Sequence, residues 1–422
     1  MTLKDDTINL HRILKGKIEI HNKVSLDNSF NKNKYPAEEG MLSLIYTPGV
    51  AYVSKAISEN KERVYDFTSK GNNVAIVCDG TRVLGLGDIG PEGAIPVMEG
   101  KAVLFKLLGN INAYPLCINI RDKEEIIKFV KGIQPVFGAI NIEDIESPKV
   151  LEIVERLQKE LSIPVFHDDQ HGTAIITLAA LLNSLKLADK KISKIKIVIA
   201  GAGSAGYGIF KILSKAGATN IIVTDSKGAL NEKRFEEEEE EKEEEEPNKN
   251  KTNNSYKKEI ATKTNPNKLS GRLTDIIKEA DVFIGVSGRG SLITKDMVKS
   301  MNTNPIVFAL SNPDPEILPD DAIAAGALIT ATGRSDFANQ INNAVVFPSI
   351  LRALLDLRIN SLDEDMLVSV ATAISSIVDD KSLKDDFIVP KIDDPRIIQI
   401  VTETLKDAIR IHMDEKKEIE IE

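Results

Sequence analysis

The sequence predicts an α/β protein built on doubly wound parallel sheets, with helices closing the chain. Three observations carry this. Short β-like runs alternate with helical ones through most of the chain. A glycine turn of the form G-x-G-x-x-G stands between an apolar strand pattern and a helix, in "KIKIVIAGAGSAGYGIFKIL". The last 75 or so residues have helical patterning, from "SILRALLDLRI" to "RIIQIVTETLKDAIRIH".

In chain order, "NVAIVCD", "PLCINI" and "PVFGAINIED" read as strands separated by helical stretches. A Glu/Lys-rich helix spans Ser147 to Leu161 and leads into the strand pattern "SIPVF". "TAIITLAALLNSLKLA" has the length and small-residue content of a helix. Strand, glycine turn, helix and strand follow, ending at "TDSKG", and then the β-rich runs "DVFIGVSG", "PIVFALSNP" and "GALITATG". The expected division is residues 1–162, 163–345 and 346–422, with no internal repeat.

Composition narrows the function classes. Of 422 residues, 42% are hydrophobic and 28% charged, which is ordinary for a soluble globular chain. The formal net charge is −10, but Glu236 to Glu246 alone holds ten Glu and one Lys, leaving the rest of the chain near neutral. No basic stripe offers a nucleic-acid footprint. The acidic run continues as "PNKNKTNNSYKKEIATKTNPNK", so residues 236–268 are expected to be a solvated, mostly disordered surface insertion. No apolar run is expected to reach the roughly 18–20 residues of a membrane span, and the N-terminus lacks signal-peptide character. A cytoplasmic protein is expected, and Cys78 and Cys117 are expected to be buried free thiols.

Gly201, Gly203 and Gly206, with Ser204 and Ala205 between them, open a helix after a strand. Asp225 ends the next strand, 24 residues after Gly201. This is the pattern of a dinucleotide site: backbone N–H groups face a pyrophosphate and the acid meets the ribose hydroxyls. Asp225 favours NAD, while Lys227 is placed to receive the 2′-phosphate of NADP; the reading leans to NAD with dual use open. A second match, "GLGDIG" (Gly85, Gly87, Gly90), lacks the strand-end acid and reads as a turn bringing backbone close to substrate or cofactor.

The stretch "VFHDDQHGTA" sets His167 and His171 four apart, as in helical H-x-x-x-H zinc sites. A strand pattern before it and Gly172 after it remove the helical geometry. Asp168 and Asp169 end one strand, as Glu143 and Asp144 end another in "FGAINIEDIESP". Carboxylates converging from two strand ends make an all-oxygen site suited to Mg²⁺ or Mn²⁺, although acidic pairs at strand ends also serve as plain solvent-facing caps.

"IYTPGVA", "LGLGDIGPEGAIPVMEGKAVLFK", "INIEDI", "PVFHDDQHGTA", "GAGSAG", "ALSNPDPE" and "NNAVVFPSI" occur in the order found in malic enzymes, and the chain resembles their short prokaryotic form from about Ile18 to Leu355. The resemblance implies an N-terminal α/β substrate domain, a Rossmann-type NAD(P)-binding domain and a C-terminal helical segment. It implies oxidative decarboxylation of L-malate to pyruvate and CO₂ with NAD or NADP, and oxaloacetate decarboxylation besides. It also implies Mg²⁺ or Mn²⁺ and a homodimer. Carried over by motif, Glu143, Asp144 and Asp169 hold the metal, and Asp168 stands beside the catalytic Lys101. Lys101 is the base, its pKa lowered by burial and metal; Tyr46 is the acid. Arg82, Asn312 and Asn343 bind malate, and the histidines support. Two alternatives stay open: a dehydrogenase of an amino or hydroxy acid without decarboxylation, and a non-catalytic nucleotide sensor.

Overall fold

The computed structural model describes residues 45–236 and 254–419. Helix α1 (Val50–Glu59) comes first and buries none of its residues. Four parallel strands follow: β1 (Asn73–Cys78), β2 (Asn112–Cys117), β3 (Ala139–Ile142) and β4 (Val165–His167), in spatial order β2-β1-β3-β4. Helices α2 (Gly90–Gly109), α3 (Lys123–Ile133) and α4 (Lys149–Glu160) make the crossovers. β1 is buried along its whole length, which is why it reads as a continuous apolar run; a parallel sheet is covered on both faces. α4 turns Val150, Leu151, Ile153, Val154 and Leu157 inward at helical spacing. Asp122 caps α3 by accepting from the N–H groups of Glu124 and Glu125, a contribution of about 1 kcal/mol.

Helix α5 (Thr173–Ala188) leads into the second sheet. Its strands β5 (Lys196–Ala200), β6 (Asn220–Asp225), β7 (Gly228–Ala229), β8 (Val282–Gly285), β9 (Ile306–Ala309) and β10 (Ile329–Thr332) stand in the order β10-β9-β8-β5-β6-β7. All pairings are parallel except the short β6–β7 hairpin. Helices α6 (Ser204–Lys215) and α7 (Ser255–Lys263) lie between β5 and β8 in the chain. The chain ends in α8 (Phe347–Leu357), α9 (Glu364–Ser376) and α10 (Arg396–Ile419). α8 packs on α2, while α9 packs on α5 and α6, so the C-terminal helices tie both sheets together. Phe105 of α2 and Phe347 of α8 meet with ring centroids 4.7 Å apart.

In each sheet the winding reverses once, between β1 and β3 and between β5 and β8. Open α/β sheets bind ligands at the carboxyl ends of the strands flanking such a reversal.

Three expectations need correction. β4, assigned by a division at 162/163 to the second unit, pairs with β3 in the first sheet. Its three residues carry too little pattern to name their partner. The insertion is not loop-like throughout. Residues 237–253 lie outside the described residues, but Ser255–Lys263 forms a helix capped by Asn254, with Ile260 and Ala261 buried and Asn265 buried just beyond it. Tyr256 and Ile260, one helical turn apart, supply an apolar stripe that the Lys/Asn-rich composition hides. Finally, Asp168–Ala188 is 21 residues long and contains a window of mean hydropathy 1.2, enough to cross a bilayer by length and composition, but 72% of that window is buried, as in the core helix of a globular fold.

Candidate active site

β3 and β4 run parallel with Ile142 opposite His167, so the residues that follow them emerge side by side. Glu143 and Asp144 leave one strand and Asp168 and Asp169 the other. Asp144 adopts a left-handed backbone (φ 49°), and its N–H donates to Asp169 Oδ2 at 3.3 Å. Glu143, Asp144 and Asp169 each offer an oxygen within 4.8 Å of the others. Lys101 reaches this group from α2. Its Nζ contacts Glu143 Oε1 at 2.7 Å and donates a short hydrogen bond to Asp168 Oδ2, with the Phe347 ring 4.5 Å away.

The electrostatics are those of crowded acids. Burial pushes Glu143 well above the carboxylate range, and Asp169, Asp168 and Asp144 add to it against Lys101. Asp144 is pushed up to about 8 by burial and then by Asp169. Burial also raises Asp168, although Lys101 opposes it. Burial is again the largest single influence on Asp169, but His167, Lys101 and the Asp144 N–H together outweigh it and hold the group below its ordinary value; the His167 Nε2 lies 3.6 Å from Asp169 Oδ2. Burial works against the Lys101 ammonium, but Asp168 and Glu143 outweigh it and hold its pKa above the usual lysine value. This is the balance in the metal-free cage; the lowering expected of Lys101 belongs to the site with its cation bound.

The donor set fits a hard divalent cation. Three carboxylate oxygens cluster at the two strand ends, and the buried Asp168 Oδ1 has no hydrogen-bond partner among the described residues. The histidines do not form a zinc pair. Asp168–Gly172 is a wide π-helical turn rather than α-helix. His171 Nδ1 accepts the backbone N–H of His167 at 3.2 Å, and burial drives its pKa down to about 3.

Of the residues expected to bind malate, Asn343 joins the cluster. Its Nδ2 donates to Asp168 Oδ2 at 3.3 Å, and Thr173 Oγ1 donates to its Oδ1 at 3.2 Å. Arg82 gives a backbone N–H to Asp144 O at 3.1 Å, while its guanidinium lies against Gly288 of the second unit. Asn312 packs on Gly333, and its carbonyl comes so close to Gly85 that a Cβ there would stand 2.5 Å from the oxygen. The "GLGDIG" turn is thus a seam between the two sheets. Tyr46 is 67% exposed, and among the described residues its hydroxyl makes no hydrogen bond to the cluster.

At the second sheet's reversal, Gly201 (φ 126°) follows β5, and a Cβ on Gly206 would lie 1.9 Å from the Gly201 carbonyl oxygen. Only glycine permits this packing of α6 on the turn. Gly203 precedes α6, whose first turn, including Ser204 and Ala205, has no side-chain cap and keeps its N–H groups for an anion. Asp225 accepts the Lys227 backbone N–H at 2.9 Å; the Lys227 side chain is exposed.

Three residues escaped the sequence reading. Glu316, fully buried, accepts from Ser287 N, Ser287 Oγ and Ser311 N and pairs with Ser311 Oγ, fastening together the loops after β8 and β9. The apolar "ILP" after it was the one available signal of burial. Arg234 and Lys257 pair with Asp225 across 9 and 32 residues, spans that no short motif covers.

Comparison with known proteins agrees with this arrangement. The family model described as "Malic enzyme, N-terminal domain" matches residues 27–158, and "Malic enzyme, NAD binding domain" matches residues 170–409. The chain is 47% identical over 408 residues to a bifunctional malic/malolactic enzyme of Bacillus subtilis, covering 97% of this chain and 93% of that one. It is 45% identical over 408 residues to an NAD-dependent malic enzyme of Geobacillus stearothermophilus, covering 97% and 79%. The crystal structure of an NAD-dependent malic enzyme from Thermotoga maritima superposes with a TM-score of 0.85 at 44% identity, covering 95% of this chain and 99% of that one. Matched along nearly its whole length, in sequence and in fold, the chain belongs to the malic enzyme family.

Proposed function

We propose that this protein oxidises L-malate and decarboxylates the product, releasing pyruvate and CO₂ as NAD(P)⁺ is reduced. The observation that carries the reading is Lys101, held between Glu143 and Asp168 at the edge of a three-carboxylate cluster.

In this reading Lys101, in its neutral form, takes the proton of the C2 hydroxyl as hydride leaves C2. Asp168, hydrogen-bonded to Lys101 and to Asn343, fixes the direction of that amine. Glu143, Asp144 and Asp169 hold Mg²⁺ or Mn²⁺. When bound, the cation supplies Lewis-acid polarisation of the C2 oxygen and stabilises the negative charge left by loss of CO₂. With carboxylate charge neutralised, burial becomes the larger influence on Lys101 and favours its neutral, basic form. Arg82, Asn312 and Asn343 engage the substrate's carboxylates and hydroxyl; a guanidinium can fork a carboxylate. Gly201 to Gly206 receive the cofactor pyrophosphate.

Tyr46 delivers the proton to C3 after CO₂ has gone, a role that requires its exposed segment to close over the cluster. α1 buries none of its residues, and Val50 and Val53, one helical turn apart, stand exposed on it. We assign that face to a homodimer contact.

The test uses the full chain with L-malate, MnCl₂ and either NAD⁺ or NADP⁺. Reduced cofactor and pyruvate are expected to rise in equal amounts. Cofactor reduction without pyruvate would replace the reading with a non-decarboxylating dehydrogenase, and neither product would leave a nucleotide sensor.

A further inference from the structure

Two loops meet at the carboxyl ends of β8 and β9, residues 286–290 and 310–316, and neither contains helix or strand. They form the seam between the two halves of the site. Val286 O lies so near the glycine turn that a Cβ on Gly201 would stand 2.6 Å from it, and a Cβ on Gly288 would stand 2.7 Å from Arg82 Nη2. The second loop carries Asn312, whose carbonyl crowds Gly85. One fully buried side chain, Glu316, ties these loops together. Its Oε1 accepts Ser287 N at 3.2 Å, Ser287 Oγ at 3.1 Å and the Ser311 hydroxyl, and its Oε2 accepts Ser311 N at 3.2 Å. The same hydroxyls pass the order outward. Ser311 Oγ accepts the Gly288 N–H at 2.8 Å, and Ser287 Oγ accepts the Arg289 N–H at 3.1 Å.

We infer that Glu316 is a positioning residue for malate: through Ser287 and Ser311 it holds Arg82 and Asn312 in register with each other across the seam. This rests on the L-malate reading above and deepens it. The Glu316 carboxylate is enclosed, so its influence reaches the substrate only through the loops it ties. Four donor groups converge on it, and an ionised carboxylate offers acceptors only. A glutamine of the same shape must turn its NH₂ toward either the Ser287 or the Ser311 N–H, setting buried donor against buried donor. Gly288, with φ 70° and no Cβ, is what lets the guanidinium lie against backbone, so the Ser311–Gly288 hydrogen bond sets where Arg82 rests. Ser311 also immediately precedes Asn312 in the chain. One carboxylate therefore governs both groups, and a misplacement of about 1 Å in such groups can cost about 10²-fold.

Steady-state kinetics of the full chain with L-malate, MnCl₂ and saturating NAD⁺ or NADP⁺ separate positioning from folding. Loss of folded protein lowers kcat at constant KM, whereas displaced binding groups raise KM. Glu316→Gln is expected to raise the malate KM roughly 10–100-fold with a much smaller change in kcat. Its Mn²⁺ affinity should hold, because the carboxylate cluster stands on the other sheet. Ser311→Ala cuts the link to Gly288 and keeps the buried carboxylate. It should move the malate KM the same way by less, and it carries the test where Glu316→Gln folds poorly. Combining Glu316→Gln with Arg82→Ala probes the route: Arg82→Ala should cost less in the Glu316→Gln background than in the wild type. An unchanged malate KM in Glu316→Gln and Ser311→Ala would overturn the inference, as would strictly additive losses in the double variant. Either failure leaves pyruvate formation by the wild type intact. A wild type that forms no pyruvate is the separate failure of the malic enzyme reading, and the inference falls with it.

Discussion

Asp144 and Asp225 are both aspartates at the carboxyl end of a parallel strand, yet their environments drive them in opposite directions. Burial and Asp169 push Asp144 up to about 8. Asp225 is also penalised by burial, but Lys257, the Lys227 N–H and Arg234 hold it below the ordinary aspartate value. What separates them is whether the chain supplies the counter-charge. At the first site four carboxylates face one ammonium, leaving a formal excess of three negative charges. At the second, Arg234 and Lys257 both pair with the one Asp225 carboxylate. One strand end calls for a cation from outside, and the other has its counter-charge built in.

The largest expected break comes from the single cation of the first site. Lys101→Ala removes the base and should lower hydride transfer by roughly 10²–10⁴, with partial recovery on adding a small amine. A variant that oxidises malate normally would remove Lys101 from the chemistry. Tyr46→Phe should act on a different step. Exchange of the pyruvate C3 protons with D₂O, cofactor and Mn²⁺ present, is expected to collapse while NAD⁺ binding stays intact. Exchange at the wild-type rate would strike Tyr46 from the mechanism.

A smaller effect sharpens the comparison through pH. The folded pKa of Asp144, about 8, lies above the ordinary 3.8, so the folded state holds this proton more tightly. The stability it contributes is present at low pH and is lost as pH rises through about 8. Metal-free protein should thus melt lower at about pH 8.5 than at about pH 6, and Asp144→Asn should flatten that slope. Asp225 carries the opposite sign: its stability is present at neutral pH and is lost as pH falls below the ordinary aspartate range. A metal-free melting temperature independent of pH across the upper window would contradict the assignment for Asp144. Smallest of all, deleting Glu236–Pro247 should leave kcat and Tm nearly unchanged, since its composition cannot bury a core of its own. A drop of several degrees would show that this segment packs.

Local signals were legible in the sequence and distant pairings were not. The glycine turn, the acid ending β6 and the acid pairs after β3 and β4 are written in contiguous motifs, because strand-to-loop transitions are local events. The helix "TAIITLAALLNSLKLA" emerged with its boundaries as α5. The sheet to which Val165–His167 belongs depends on a register with residues 25 positions earlier, which no short window contains. Lys257 on Asp225 is a pairing across 32 residues. The charge state of Lys101 is written in no motif, because it depends on how many carboxylates and cations surround the amine, a count set only by folding. Tyr46 carries a clear motif, but its sequence gives no measure of its distance from Lys101.

The central claim is that uncompensated acid at the ends of β3 and β4 is a cation site. Mn²⁺ binding to the metal-free chain, followed by electron paramagnetic resonance, tests it most directly. The wild type should bind Mn²⁺ in competition with Mg²⁺. Asp169→Asn, which keeps the shape and loses the charge, should lose that binding while retaining 5′-AMP affinity at the second site. Undiminished Mn²⁺ affinity in Asp169→Asn would contradict the account.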